Sequence, residues 1–574
     1  MRTLRGIAAS RGIAMGPAFQ FRRTEHTVER RTVDDPATEW ARTEAALERA
    51  RRQLEEIQVK AAAEAGEDEA AVFEAHILML EDPDLLATVR EEIETHNVNA
   101  ESALQDAVES YAGALAALDD EYLSARAADV RDVGERVLSI LLGTTQSPAA
   151  NLSQPSIILA HDLTPSDTVL LDKALVRGFC TAEGGATSHT AILARALGLP
   201  AVVGIGPAVL DVPDGTTLIV DGNAGTLLVD PDDPTIAACE AEAVRNSAAL
   251  AGARRHAHEP AITQDGRRVE VAANVGNVEL AHSALELGAE GIGLLRTEFL
   301  YLERDHLPDE EEQVRAYNAI LDIFGELPVI LRTLDIGGDK HLPYLQLEPE
   351  MNPFLGLRAI RLCLARPELF RPQLRAALRA SPGHDLRIMF PMVATVDEVR
   401  AARTVLEDCR SELETEGHAV SDAIQVGIMV ETPAAALTAD LLADSVDFFS
   451  IGTNDLSQYT MAADRTNATV ADLADAFQPA VLRSVAQVIE AAHSKGKWVG
   501  MCGELAGEPL AIPILLGLML DEFSMNPPAI PLAKQIIRSL TLDEAQEVAE
   551  QALAAESPEA IRHLVRETVP AVNF

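Results

Sequence analysis

The spacing of apolar positions changes character along the chain. Between residues 37 and 142, Trp40, Leu47 and Leu54 recur every seven residues, and Ala50 and Ile57 fill the alternate positions of the same seam. Such a repeat on a background of Ala, Leu, Glu and Arg predicts a long amphipathic helix packed in a hairpin or bundle. Further helical patterns over 69–80, 84–95, 100–118 and 121–142 make this segment an all-α bundle. On both sides of it the apolar runs are short. Residues 4–20 predict a strand, as do Ser156–Ala160, Ala174–Phe179, Ala201–Val203 and Leu218–Val220, with one helix from His189 to Leu197. The turn Gly222-Asn223-Ala224-Gly225 leads from the last of these into Thr226–Val229 as a hairpin would. The simplest account is one α/β domain, built from 1–20 and 146–230, with the bundle inserted into it. A Pro-free helix over 235–256 then connects to the remainder.

From there strand and helix patterns alternate. The candidate strands are Val269–Ala273, Gly291–Leu295, Val329–Arg332, a run near Phe354–Leu357, Leu386–Phe390, Gln425–Val430, Asp447–Ile451 and Lys497–Met501. Eight such β/α units predict a TIM barrel, so the fold class is multidomain α/β. The predicted division is 1–20 and 146–230 for the small α/β domain, 21–145 for the bundle, 231–260 for a linker helix and 261–574 for the barrel. Asn274, Arg296, Arg332, Arg358, Glu431, Asn454, Asp455 and Cys502 crowd just after the strands, which is the catalytic rim of such a barrel.

Composition narrows the functions. The 574 residues suggest roughly three to four domains at about 150 residues each, and 47% hydrophobic with 24% charged residues is ordinary for a globular protein. The charge is not ordinary: 47 Lys and Arg against 90 Asp and Glu leave −43. That excess argues against nucleic acid and anionic membranes as partners and favours a partner with a basic face. No apolar run reaches the ~20 residues of a membrane span, and the first residues lack a signal-peptide core. Five cysteines without a CxxC pair fit a reducing, cytoplasmic setting.

Three constellations carry chemistry. Gly184-Gly185-Ala186-Thr187-Ser188-His189 lies between a strand and a helix, where free N–H groups bind an anion and a histidine can accept a phosphoryl group. The same residues also read as a capping turn. Arg296, Arg332, Arg358 and Arg465 could converge as an anion site, although each alone could pair with a surface carboxylate. Glu431 and Asp455, at neighbouring strand ends, suit Mg²⁺ held partly by substrate oxygens, or equally a salt-bridge network. Cys502 is either a small buried apolar residue or an acid on the rim.

The motifs GIAMG (12–16), DLTPSD (162–167), GGATSHTAILAR (184–195), GLLRTEFLY (293–301), RTLDIGGDK (332–340), NPFLGLRAIR (352–361), VETPAA (430–435), DFFSIGTNDLSQYT (447–460) and GMCGELAG (500–507) together resemble the Enzyme I family. These are the phosphoenolpyruvate–protein phosphotransferases of the bacterial sugar phosphotransferase system. FEAHILMLEDP (73–83) and DDEYLSARAADVRDVGERVL (119–138) extend the resemblance through the bundle, and Arg11 stands where the family usually has Pro. The resemblance implies that His189 becomes phosphorylated and that Arg296, Arg332, Asn454, Asp455 and Arg465 hold phosphoenolpyruvate. It implies Glu431 and Asp455 as Mg²⁺ ligands and Cys502 as proton donor to the enolate, which becomes pyruvate. It also implies transfer to a histidine of the phosphocarrier HPr docked on the bundle, a mobile phosphohistidine domain, and a homodimer formed through the barrel. A dikinase or synthase of the same superfamily would need an ATP-binding domain, for which the sequence has no P-loop.

Overall fold

The computed structural model describes residues 1–573 except 11, 23–27, 65–66, 117–120, 145–151, 165–166, 168–170, 186–189, 192, 195–197, 303, 305, 339–341, 343, 346–347, 349, 466 and 468. The chain forms two compact units, 1–244 and 245–574.

In the first unit, β1 (Arg2–Arg5), β2 (Ile7–Ser10) and β3 (Ile13–Phe21) replace the single strand expected over 4–20. They join β4 (Ser156–Ala160), β5 (Val176–Thr181), β6 (Ala201–Val203), β7 (Thr217–Asp221) and β8 (Thr226–Val229) in one sheet of order β1-β8-β7-β3-β4-β5-β6-β2. β3 and β4 are parallel neighbours, Ala18 opposite Ile157, although the whole bundle lies between them in the chain. The hairpin of β7 and β8 forms as expected, with Asp221 opposite Thr226. Its Gly225 has φ +63°, and a Cβ there would lie 2.7 Å from the Gly6 carbonyl oxygen. Only glycine accepts both conditions.

The inserted helices are α1 (Pro36–Glu64), α2 (Glu67–Leu80), α3 (Pro83–His96), α4 (Ala100–Ala116) and α5 (Glu121–Leu142). The seven-residue seam points inward: Ala50, Leu54 and Ile57 are buried against Val89, Ile93, Leu104, Val133 and Val137, with Trp40 and Leu47 packed at the edge. A fully buried leucine such as Leu54 stabilises by about 2 kcal/mol through the area it removes from water. Asp82 starts α3 by accepting the Asp84 and Leu85 N–H groups, and Pro83 occupies the first turn, where its missing donor is not needed. No helix among the described residues is long and apolar enough to cross a membrane.

The second unit is a closed barrel of eight parallel strands: β10 (Arg268–Val275), β11 (Ile292–Leu295), β12 (Val329–Arg332), β13 (Leu386–Phe390), β14 (Gln425–Val430), β15 (Phe448–Ile451), β16 (Trp498–Met501) and β17 (Glu522–Met525). β9 (Ala261–Ile262) adds antiparallel to β10, which pairs with both β11 and β17 and so closes the ring. Two expectations fail here. The run near Phe354–Leu357 is a 3₁₀ turn, Pro353–Leu355, inside the long segment that follows β12. Pro353 has no N–H to give a ladder, and Leu355 is 64% exposed. The eighth strand is instead Glu522–Met525, whose Glu and Ser hide it from an apolar count. Cys502 therefore follows the seventh strand rather than the last, and Arg358 follows a loop turn rather than a strand.

Strand alternation sorts the barrel into two cores. Val329, Leu331, Ile388, Phe390, Ile428, Val430, Phe449, Ile451, Val499, Met501 and Phe523 pack outward with the helices. Ile330, Met389, Met429, Phe448 and Cys502 form a separate interior cluster with Leu294 and Trp498. Continuing the inward positions to the strand C-termini brings Asn274, Arg332, Glu431 and Cys502 to one mouth.

Candidate active site

Buried charge of both signs meets at this mouth. Arg332 donates from Nη2 to Glu298 Oε1 at 2.8 Å and lies 3.1 Å from Asp335 Oδ2 through Nη1. Asp335 in turn accepts from Arg358 Nε at 2.9 Å and Nη2 at 3.1 Å, while Arg358 Nη1 reaches Asp455 Oδ1 at 2.9 Å. Arg465 closes the row, with Nη2 3.6 Å from Asp455 Oδ2. Burial opposes the charge of Arg332, but Glu298 and Asp335 outweigh it and raise its pKa. The same holds for Arg358 through Asp335 and Asp455. Both guanidinium groups stay charged although they are almost fully buried.

Arg296 differs. It follows β11 at the same mouth, its side chain is open to solvent, and no hydrogen bond or ion pair holds its guanidinium among the described residues. Desolvation by the surrounding walls and then the positive charge of Arg332 lower its pKa. A cation in that position is stabilised by an incoming anion.

Glu431 directly follows β14 and is buried, with Oε2 accepting the Met392 N–H at 2.8 Å. Gly452, after β15, makes room for it, since a Cβ there would sit 2.7 Å from Glu431 Cγ. Burial, then the negative charges of Asp455 and Asp335, push the Glu431 carboxyl up to about 8. Two buried carboxylates that repel each other are the donor set a hard cation relieves. Among the described residues no group of three or more His, Cys, Asp or Glu could hold a metal by itself. Glu431 and Asp455 are carboxylate donors that suit a hard cation, which would need further ligands from substrate or water.

Cys502 is 4% exposed, and burial first pushes its thiol up to about 12. It is therefore a protonated thiol at neutral pH, as an acid must be. The following segment is clamped by Asn454: its Oδ1 accepts the Glu504 N–H at 3.1 Å, and its Nδ2 donates to Glu504 Oε1 at 3.4 Å. The barrel thus brings Arg332, Arg358, Arg465, Glu431, Asp455 and Cys502 together, with Arg296 and Asn454 beside them. His189 lies outside the described residues. Glu298 and Asp335 carry no signal of their own as partners, although both stand inside quoted motifs, two residues beyond Arg296 and three beyond Arg332 respectively.

Three family models match in order: "PEP-utilising enzyme, N-terminal" over 5–126, "PEP-utilising enzyme, mobile domain" over 152–225, and "PEP-utilising enzyme, PEP-binding domain" over 250–542. The chain is 50% identical over 567 residues to a phosphoenolpyruvate-protein phosphotransferase of Geobacillus stearothermophilus, covering 99% of this chain and 98% of that one. It is 49% identical over 568 residues to that of Bacillus subtilis (strain 168), covering 99% and 100%. A solution structure of Enzyme I (nEIt) is 39% identical, with TM-score 0.38, over 42% of this chain and 99% of that one.

Proposed function

The chain belongs to the phosphoenolpyruvate–protein phosphotransferase family, and on that premise we propose that it moves the phosphoryl group of phosphoenolpyruvate to His189 and then to a histidine of the phosphocarrier HPr. The observation that carries the reading is the buried row Arg332–Asp335–Arg358–Asp455 beside Arg296, which no described residue pairs, and the protonated Cys502. A row of cations bridged by carboxylates at a barrel mouth has positive charge ready for a phosphate and a carboxylate.

In this mechanism Arg296, Arg332 and Arg465 bind and orient the anionic substrate, with Asn454 and Asp455 completing the pocket. An imidazole nitrogen of His189 attacks phosphorus, the bond from phosphorus to the enol oxygen breaks, and its electrons stay on an enolate. The Cys502 thiol gives its proton to carbon 3 of the enolate, which leaves as pyruvate, and the thiolate regains a proton from solvent. Mg²⁺, held by Glu431 and Asp455, would supply positive charge against the phosphate and enolate oxygens. The phosphoryl group then passes from His189 to HPr as one P–N bond breaks and another forms, the first step of the sugar phosphotransferase system.

The division of labour proposed is 1–20 with 146–230 for the phosphohistidine, 21–145 for HPr, 231–260 as linker and 261–574 for phosphoenolpyruvate and homodimer formation. For HPr, the exposed Glu74, Leu78 and Glu81 on and just after α2 are the accessible groups, whereas Leu80 is buried and Ile77 half-buried. The test is incubation with phosphorus-labelled phosphoenolpyruvate, with and without HPr. Acid-labile label on the protein, passed to HPr when present and absent from His189→Ala, supports the reading. Label on the His189→Ala protein would show that another residue is the acceptor.

A further inference from the structure

We infer that Ser524 and Asn274 are positioning residues for Cys502, holding the thiol in place through two buried hydrogen bonds in series; this rests on the reading of Cys502 as proton donor. Ser524 Oγ donates to Asn274 Oδ1 at 2.7 Å, and Asn274 Nδ2 donates to the Cys502 carbonyl oxygen at 3.0 Å. Ser524 is fully buried and Asn274 is 7% exposed. The other side of the cysteine is held by β15, since the Cys502 and Gly503 N–H groups both reach the Ile451 carbonyl, at 3.1 and 3.3 Å. Cys502 is thus gripped by its N–H from β15 on one side and by its C=O from β10, two strands along on the other.

Orientation is decided by the pair. An asparagine amide offers a donor and an acceptor, and turning it around would set Oδ1 against the Cys502 carbonyl, two acceptors facing each other. The Ser524 hydroxyl satisfies Oδ1 in the productive orientation, so neither polar atom is left buried and unpaired. The contact spans β10 and β17, where Ala272 is opposite Ser524 and the barrel closes. Space for it comes from Gly293, where a Cβ would lie 2.5 Å from Ser524 Oγ. A thiol that must meet one carbon atom needs this grip, because a misplacement of about 1 Å can cost ~100-fold in rate.

The experiment compares the full-length parent, Ser524→Ala, Cys502→Ala and the double variant, with thermal unfolding as a check on folding. Three quantities are read: turnover of phosphoenolpyruvate in the presence of HPr, its KM, and solvent deuterium exchange into carbon 3 of pyruvate. Ser524→Ala should keep its fold and KM while kcat and exchange fall by about 10-fold or more. In the Cys502→Ala background the same change should cost nothing further, because the group being positioned is gone. Losses that multiply in the double variant would overturn the inference and leave Cys502 as the donor. Exchange unchanged in Ser524→Ala would do the same. A silent Cys502→Ala would overturn the donor reading, and the inference with it. Should Ser524→Ala fail to fold, Asn274→Ala makes the same comparison with the same outcomes.

Discussion

Glu431 is a carboxyl that its surroundings keep from ionising, and the proposed cation would reverse that. Its proton is retained to about 8 because burial and the nearby Asp455 and Asp335 penalise the anion. The neutral isostere Glu431→Gln keeps the shape and the contact with the Met392 N–H but cannot supply the charge. Phosphorylation from phosphoenolpyruvate should fall by at least ~100-fold in Glu431→Gln and in Asp455→Ala, the scale of losing one preorganised charge-stabilising element. Rates within a few fold of the parent, measured by label transfer, would make both carboxylates structural partners only. Arg358 makes a second test at this scale. Its fork meets Asp335 through two nitrogens and Asp455 through the third, a geometry one lysine ammonium cannot copy. Arg358→Lys should lower kcat/KM by at least about 10-fold and also lower the unfolding temperature, since a buried carboxylate loses its partner. A variant with full activity and stability would show that the row does not depend on the fork.

At the scale of the strand, β17 carries a polar layer at the opposite end of the barrel interior. Glu522 and Glu270 are opposite each other across β10 and β17, with Trp498 stacked on Phe448 and Arg387 over Trp498 nearby. Burial, then the Glu270 charge, push Glu522 up to about 8, against 4.5 for an ordinary glutamate. The unfolded chain releases this proton at the lower value and the folded barrel at the higher one. Between them the unfolded state binds fewer protons, so the stability this group contributes in acid is lost as pH rises towards 8. Glu522→Gln cannot ionise and escapes that loss. Its unfolding temperature relative to the parent should rise steadily from about pH 5 to about pH 8, as read by differential scanning calorimetry. A difference that stays flat with pH would show that the carboxyl is already ionised in the fold.

For the molecule as a whole, charge governs how a partner arrives. A chain at −43 with exposed Glu74 and Glu81 beside α2 steers a basic protein by long-range attraction. The association rate with HPr should therefore fall by about 10-fold or more between low salt and about 0.5 M, where the Debye length drops below the separation of exposed charges. Stopped-flow rates that do not change with ionic strength would remove the electrostatic part of the docking proposal. A chain deleted for 25–142 that still passes label to HPr would remove the rest.

Much of this was legible in the amino-acid sequence because local periodicity is a property of the sequence itself. The heptad of Trp40, Leu47 and Leu54 marks α1 wherever it packs, and short apolar runs mark β12 to β16 before any partner strand is known. The strand-end positions of Arg332, Glu431 and Cys502 were legible for the same reason, and the structure brings them to one mouth. What depends on contact between distant segments could not be read. Glu522–Met525 is a strand only because β10 and β16 flank it, with its Glu and Ser facing the barrel interior; four residues with two polar side chains carry no signal of their own. Phe354 to Leu357 looks apolar enough for a strand, yet Pro353 and its place beyond β12 leave it without a ladder. Tertiary structure alone decided which carboxylate each arginine meets and that Ser524 reaches Asn274 across 250 residues of chain, because side-chain pairing follows from where the barrel closes and leaves no period in the sequence.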